Sequence, residues 1–343
     1  MGEPEPPGSE AYRAAGVDLE AGARAVDLIR RVARGAARPG AVGDVGGFSG
    51  LFDLGDGRFL SAATDGVGTK LEVARLAGRF DTVGIDLVAM SANDVVCTGA
   101  EPLLFLDYIA IERVVPEQVA LIVEGVAEGC RRAGCALLGG ETAEHPGTMP
   151  QGSFDLAGFC VGIAARDDLL SAGGVEPGDA LVGLRSSGLH ANGFSLIRRT
   201  LLADDPDLEA VEPSIGRPLI DELLEPTAIY VRPLLALRDA GIAKSAAHIT
   251  GGGFHENVPR ALRDGVGAEI DRAAWTPPPI FDLVASAAAM GRQEPFGVFN
   301  MGIGMVVTTA SDDAAGAVEI AHAHGVEAIR IGRVSEEPGV RLI

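Results

Sequence analysis

A carboxylate, two glycines, a hydroxyl and a lysine stand together in Thr64-Asp65-Gly66-Val67-Gly68-Thr69-Lys70. The segment leaves an apolar strand pattern and enters a helical one. An acid then falls at a strand mouth and glycine amides at a helix start, which suits magnesium and phosphate. It is no P-loop, because the chain contains no Gly-Lys dipeptide and the glycine spacing differs. Lysine occurs only at Lys70 and Lys244, while arginine is used freely. A compact ammonium beside phosphate differs from a guanidinium. A surface turn with a solvated lysine is the competing reading.

Further acids fall near strand ends or on an apolar helix. The stretch 82–98 reads as a helix capped by Thr82, with Asp86, Asn93 and Asp94 set among Val83, Ile85, Leu87, Val88, Met90, Val95 and Val96. At helical spacing Asp86 and Asn93 are roughly 20° apart, and Asp94 is roughly 80° from Asp86. Polar groups on so apolar a helix need partners or a metal; one solvent-facing edge is the alternative. Gly139-Gly140-Glu141-Thr142 follows an apolar strand and offers a third strand-mouth carboxylate, and Asp107 lies on the strand 103–111. Oxygen ligands without a His/Cys cluster indicate magnesium rather than zinc. Two later loops, Ser186-Ser187-Gly188-Leu189-His190-Ala191-Asn192-Gly193 and His248-Ile249-Thr250-Gly251-Gly252-Gly253, each run from strand to helix and are rich in donors for an anion. A histidine there binds phosphate or moves a proton. His322 and His324 read as solvated.

These residues need strands and helices to position them. Alternating patterns place helices at 18–35, 82–98, 117–133, from near 192, and at 227–240, 280–290 and 312–324. Strands fall near 51, 59–63, 103–111, 136–138, 154–164, 180–184, 246–249, 267–271, 303–309 and 326–332. Residues 204–220 read as an ordered surface loop. The segment 167–179, with Gly173, Gly174, Pro177 and Gly178, is the expected boundary. This gives a lead-in without fixed structure at 1–10, an ATP- and metal-binding domain at 11–170, and a substrate domain at 171–343.

A length of 343 residues and 47% apolar content suit two globular domains. The net charge of −20 leaves no basic stripe for nucleic acid. No apolar run is long enough for a membrane span, and the N-terminus lacks the pattern of a secretory signal, so a cytoplasmic location is expected. Cys130 and Cys135 lack zinc spacing, so the four cysteines read as buried, reduced thiols. The 47 glycines gather at 43–50, 66–68, 139–140, 251–253 and 302–304, where amides can approach a phosphate.

In order and spacing, a set of segments resembles the phosphoribosylformylglycinamidine cyclo-ligase family, the aminoimidazole ribonucleotide synthetases. They are YRAAGVD from Tyr12, GGFSGLF from Gly46, TDGVGTK from Thr64, GIDLVAM from Gly84, GGETAE from Gly139, AGFCVG from Ala157, SSGLHANGFS from Ser186, TGGGF from Thr250 and FNMGIGM from Phe299. The likeness runs from about Tyr12 to Arg333. It implies ATP-dependent closure of formylglycinamidine ribonucleotide to 5-aminoimidazole ribonucleotide, releasing ADP and phosphate. The implied fold is α/β (α+β) in two domains, the N-terminal mixed sheets pairing into a barrel in a homodimer. Asp65, Asp94 and Glu141 would then organise magnesium and the ATP phosphates, with Thr69, Lys70 and Thr142 at the nucleotide. Gly46, Gly47 and Ser49 would form a mobile loop closing over the reactants. Ser187, His190, Asn192, Gly251, Gly252, Gly253 and Asn300 would hold the substrate. Proton transfer falls to His190 first and His248 second, with Lys70 as a further catalytic group. His145 and His255 stand where a methionine and an aromatic residue are common in the family, and Arg30 where a lysine is common.

Other readings fit less well. Selenophosphate synthetase typically needs a reactive Cys or selenocysteine in its glycine-rich N-terminal region, and here the first cysteine is Cys97. Thiamine-monophosphate kinase is disfavoured by the SSGLHANG and FNMGIGM segments. A dinucleotide-binding dehydrogenase would need G-x-G-x-x-G, which Gly66 and Gly68 alone do not meet. A non-catalytic nucleotide sensor stays open at this level.

Overall fold

The computed structural model describes residues 9–36, 38–43, 46–204 and 206–343. The expected lead-in lies outside these residues up to Gly8, and Asp44 and Val45 of the glycine loop do too. From Ser9 the chain is helical: α1 is Ser9–Ala14 and α2 is Leu19–Ala33, the latter capped by Asp18, whose carboxylate accepts from Ala21 N at 2.9 Å.

The first half builds a six-stranded mixed sheet from β1 (Ala41–Val42), β2 (Gly50–Asp53), β3 (Arg58–Gly66), β4 (Glu101–Ile111), β5 (Ala136–Glu144) and β6 (Phe154–Ala165). The order is β1-β2-β3-β6-β4-β5, with only β4 and β5 parallel. Three helices complete this half: α3 (Lys70–Ala77), α4 (Val83–Val96) and α5 (Pro116–Ala133). Every residue of α4 except Asp94 is buried. A helix apolar on all sides has to be enclosed, and α4 lies between β3, β6 and α5 on one side and the second half on the other. Gly84 and Gly125 permit the close α4–α5 crossing: a Cβ on Gly84 would overlap the backbone of Ile122 and Gly125. Thr82 stands at the N-cap as expected but makes no capping hydrogen bond.

The opposite face of this sheet carries exposed apolar side chains: Leu106 is 40% exposed, Phe159 43% and Leu138 65%. Leu106 and Phe159 are cross-strand partners.

The second half forms another six-stranded mixed sheet, β10-β12-β7-β13-β11-β14. Its strands are β7 (Ala180–Arg185), β10 (Ala243–His248), β11 (Gly267–Ile270), β12 (Ile303–Thr309), β13 (Ala328–Ser335) and β14 (Gly339–Leu342). A small hairpin, β8 (Val211–Glu212) with β9 (Arg217–Pro218), occupies part of the expected surface loop. The helices are α6 (Phe194–Thr200), α7 (Leu219–Leu223), α8 (Val231–Asp239), α9 (Gly253–Asn257), α10 (Pro279–Ala287) and α11 (Ala314–Ala323). All of β12 is buried, as expected for a central strand covered on both faces.

Two elements differ from the sequence reading. β5 continues to Glu144, so Gly139–Thr142 lie within a strand and not at its mouth. Pairing with β4 carries the strand through the glycines. The helix expected from 227 begins at Val231. Thr227, Ala228 and Tyr230 give their amides instead to Asp86, His190 and Asn93.

Candidate active site at the junction of the halves

Asp65 lies near the end of β3, on the face that Phe59, Ser61 and Ala63 turn toward α4. The same helix supplies Asp94. Burial pushes the Asp65 carboxyl up from 3.8 to about 6, and the Asp94 charge adds to the shift. The Gly66 amide donating at 2.7 Å, His248 and Arg260 oppose it. Asp94 Oδ1 is 2.9 Å from Nδ1 of His248, a fully buried ring at the end of β10. These two carboxylates from different elements, with the Asp94 charge raising the cost of the Asp65 anion, are the oxygen donors here that could hold a hard cation. A histidine behind one of them fixes its orientation.

Glu141 does not join them. It pairs with Tyr108 on the edge strand β5, is exposed, and lies on the other face of the sheet from Asp65, on the order of 14 Å away across three strand spacings. No group of three His, Cys, Asp or Glu side chains among the described residues could hold a metal. Thr142 is likewise exposed on β5.

Lys70 also departs from its expected role. It is fully buried, and Nζ donates to Asp86 Oδ1 at 3.0 Å, His190 O at 3.1 Å and Glu225 O at 2.7 Å. Asp86 accepts in addition from Thr227 N at 2.8 Å and Thr227 Oγ1 at 2.6 Å. An ammonium with all three protons engaged has none for a phosphoryl oxygen. Lys70 ties α3 and α4 to the second half. Asn93 does the same from the next turns, donating to Ala228 O at 2.9 Å and accepting from Tyr230 N at 2.8 Å.

His190 is sealed inside this tie. Its backbone is left-handed, with φ 62°, and its Nε2 accepts from Ser187 N and Ala228 N at 3.4 Å each. Burial, with His248 and Lys70 adding to it, drives its pKa well below the usual 6.5. Burial thus favours the neutral ring, whose Nδ1 is buried without a hydrogen-bond partner among the described residues. His248, through Asp94, is the histidine that touches the acid pair.

The remaining expected residues fall into two groups. Ser187 Oγ donates to Pro226 O at 2.6 Å, and Asn300 staples its loop by donating to Gly188 O at 2.9 Å and accepting from Gly302 N at 2.8 Å. Ser49 Oγ lies 2.6 Å from Ser61 Oγ, toward the sheet. These three hold loops in shape. By contrast Thr69 is exposed, its Oγ1 3.1 Å from Ser195 Oγ across the two halves. Asn192 keeps Nδ2 without a partner among the described residues and lies beside Gly251. The turn Gly251–Gly253 needs left-handed backbone at Gly252 (83°) and Gly253 (56°). Asn257 closes it, donating to Gly251 O at 3.1 Å and Gly253 O at 2.8 Å.

Arg260 was not picked out from the sequence. Its Nη1 donates to Asn257 Oδ1 at 3.1 Å and its Nη2 to Gly47 O at 2.7 Å, while the guanidinium sits 3.8 Å over the Phe48 ring. It thus joins the 251–253 turn to the glycine loop, and its charge acts on Asp65, Asp94 and Glu256. Tyr12 was also missed as a contact: it is buried, accepts from the Gly193 amide, and burial raises its hydroxyl to about 12. Arg260 stands seven residues after Gly253, a helical spacing that marks it as a side chain able to reach back over that turn.

Two sheets, a central buried helix and an acid pair beneath a glycine loop define the class. The AIR synthase related protein N-terminal domain matches residues 46–164, and the C-terminal domain matches 176–343. Among solved structures, the fold is shared with the protein tt0281 from Thermus thermophilus at TM-score 0.65 and 24% identity, covering 92% of this chain and 95% of that one. It is shared too with thiamine-monophosphate kinase from Stenotrophomonas maltophilia K279a at TM-score 0.62 and 20% identity, covering 92% and 94%. At such identities the likeness speaks for fold alone. Within the class, the phosphoribosylformylglycinamidine cyclo-ligase of Myxococcus xanthus (strain DK1622) is 51% identical over 333 residues, 96% of each chain. That of Shouchella clausii (strain KSM-K16) is 50% identical over 336 residues, 96% of this chain and 97% of the relative. The chain belongs to the phosphoribosylformylglycinamidine cyclo-ligase family.

Proposed function

We propose that this chain carries out the family's reaction, the ATP-dependent closure of formylglycinamidine ribonucleotide to 5-aminoimidazole ribonucleotide with release of ADP and phosphate. The observation that carries it is the Asp65–Asp94 pair under a glycine loop pinned by Arg260. An amide oxygen is a poor leaving group. Transfer of the ATP γ-phosphoryl group converts it to an imidate phosphate, the amidine nitrogen attacks that carbon, and phosphate departs.

Asp65 and Asp94 would hold magnesium, which supplies charge neutralisation for the phosphates when bound. The two carboxylates suit it because magnesium is commonly held by one or two of them, with water and substrate oxygens completing the set. His248 orients Asp94. Gly46 and Gly47 present amides to the nucleotide, Thr69 adds a hydroxyl, and Asn192 with the Gly251–Gly253 amides receives the ribonucleotide. On this reading residues 11–170 serve nucleotide and metal, and 171–343 serve substrate.

The bare apolar face around Leu106, Leu138 and Phe159 supports a homodimer in which two first-half sheets close into a barrel. No helix among the described residues is long and apolar enough to cross a membrane, and we place the enzyme in the cytoplasm. The decisive test is ADP release. It should appear with ATP, magnesium and formylglycinamidine ribonucleotide together, and ATP hydrolysis indifferent to that ribonucleotide would reject the assignment.

A further inference from the structure

The second half contains a cavity of about 610 Å³ that none of the acid pair, the glycine loop or the 251–253 turn lines. Arg272 and Arg292 line it, and neither is ion-paired among the described residues. The Arg272 Nε–H is buried without a partner. In a chain of net charge −20, two guanidiniums in one cleft without carboxylates bound to them leave strong donors for a ligand. Met290, Phe296 and Met301 supply apolar wall, and Asp282 is the one acid of the lining.

The backbone gives a second, independent observation. Three non-glycine residues among those described take left-handed conformations: His190, Ala289 (52°) and Met301 (50°). Two of the three line this cavity. Strain of that kind persists where the surroundings over-determine it, and it gathers at binding sites. Met301 is held by the Trp275 indole, whose Nε1 donates to its carbonyl at 2.8 Å.

We propose that this cleft binds a phosphate monoester of the sugar or nucleoside type. The anionic end sits on Arg272 and Arg292, and the ring body lies against Met290, Phe296 and Met301. Asp282 accepts from hydroxyl or amino donors. The volume exceeds what inorganic phosphate needs, and the apolar wall would be left wet by it. The site also borders the proposed substrate loops: the Phe296 carbonyl abuts Gly253, and Met301 follows Asn300, which staples Gly188. Occupancy therefore reaches the substrate turn through contacts already in place.

Trp275 is the only tryptophan of the chain, and its ring is 6.2 Å from that of Phe296. It packs against the lining residues Phe296 and Met301 and so reports on the cleft through them. The whole protein, with magnesium-ADP saturating the nucleotide site, is titrated with AMP, ribose 5-phosphate and inorganic phosphate, following Trp275 emission and equilibrium dialysis. AMP should bind saturably and more tightly than inorganic phosphate. Arg292→Gln and Arg272→Gln should each weaken it by roughly tenfold or more, the scale of one charge-assisted contact, with cyclo-ligase turnover unchanged. AMP binding unaltered in Arg292→Gln, whose side chain is exposed and whose loss spares the fold, would overturn the site. So would the absence of binding by both organic phosphates, or inorganic phosphate binding as well as AMP. These readouts do not depend on catalysis, so they stand apart from any failure of the proposed reaction.

Discussion

At the scale of single residues, the fold makes the Asp65 anion costly until a cation arrives. Its folded carboxyl titrates near 6 against 3.8 in a free chain, with burial as the main cause and Asp94 the next. A raised carboxyl contributes stability that is full below the unfolded value and is lost as pH rises through the folded one. Asp65→Asn, measured by urea unfolding without metal, should therefore match the parent near pH 3.5, gain stability over it as pH rises from about 4 to 6, and hold that gain above (window from the Asp65 shift). A gain that is constant with pH would show that the carboxyl is not strained. Lys70 teaches a second lesson at this scale. Its presence in a glycine-rich segment was legible, but its use was not, because its partners Asp86, His190 and Glu225 lie 16, 120 and 155 positions away and only the folded chain brings them to the ammonium.

At the scale of elements, Arg260 joins the glycine loop to the second half. It carries a carbonyl contact and an aromatic contact to that loop at once. Arg260→Gln should speed amide exchange at 46–50 by roughly tenfold or more, as expected for loss of a charged hydrogen bond. The KM for ATP should rise as well. Arg260→Lys restores charge without the planar fork and should recover only part of the protection. Unchanged exchange in Arg260→Gln would show that the loop does not rest on this arginine. Helices and strands with clear periodicity, such as α5 and β6, were readable along the chain. The C-terminal part of β5 was not, since Gly139-Gly140-Glu141-Thr142 carries no apolar alternation and is a strand only because β4 lies beside it. The Thr227–Tyr230 stretch misled for the converse reason: it has helix-compatible residues, yet side chains of α4 and of the 186–193 loop take its amides.

At the scale of the whole molecule, the two-sheet plan followed from the alternation of elements, whereas the separation of Glu141 from the acid pair is a matter of which sheet face each strand residue occupies. That same face now bears Leu106, Leu138 and Phe159 in the open. If the proposed homodimer uses this face, Phe159→Asp should leave the chain folded by circular dichroism and lower its sedimentation coefficient to that of a monomer, since a charge buried in an apolar interface has no partner. A variant that sediments as the parent does would place the interface elsewhere. The enclosed helix α4 has a consequence of a different kind. Asp86 waits for Thr227, 141 residues later, and Asn93 waits for Tyr230, 137 residues later. Until that interval has been made, neither Thr227 nor Tyr230 exists to take these groups, and the face of α4 turned to the second half has nothing to cover it. A first half made alone therefore lacks the partners that satisfy Asp86 and Asn93, and its α4 face is the surface on which it should associate or aggregate until the chain beyond Tyr230 covers it.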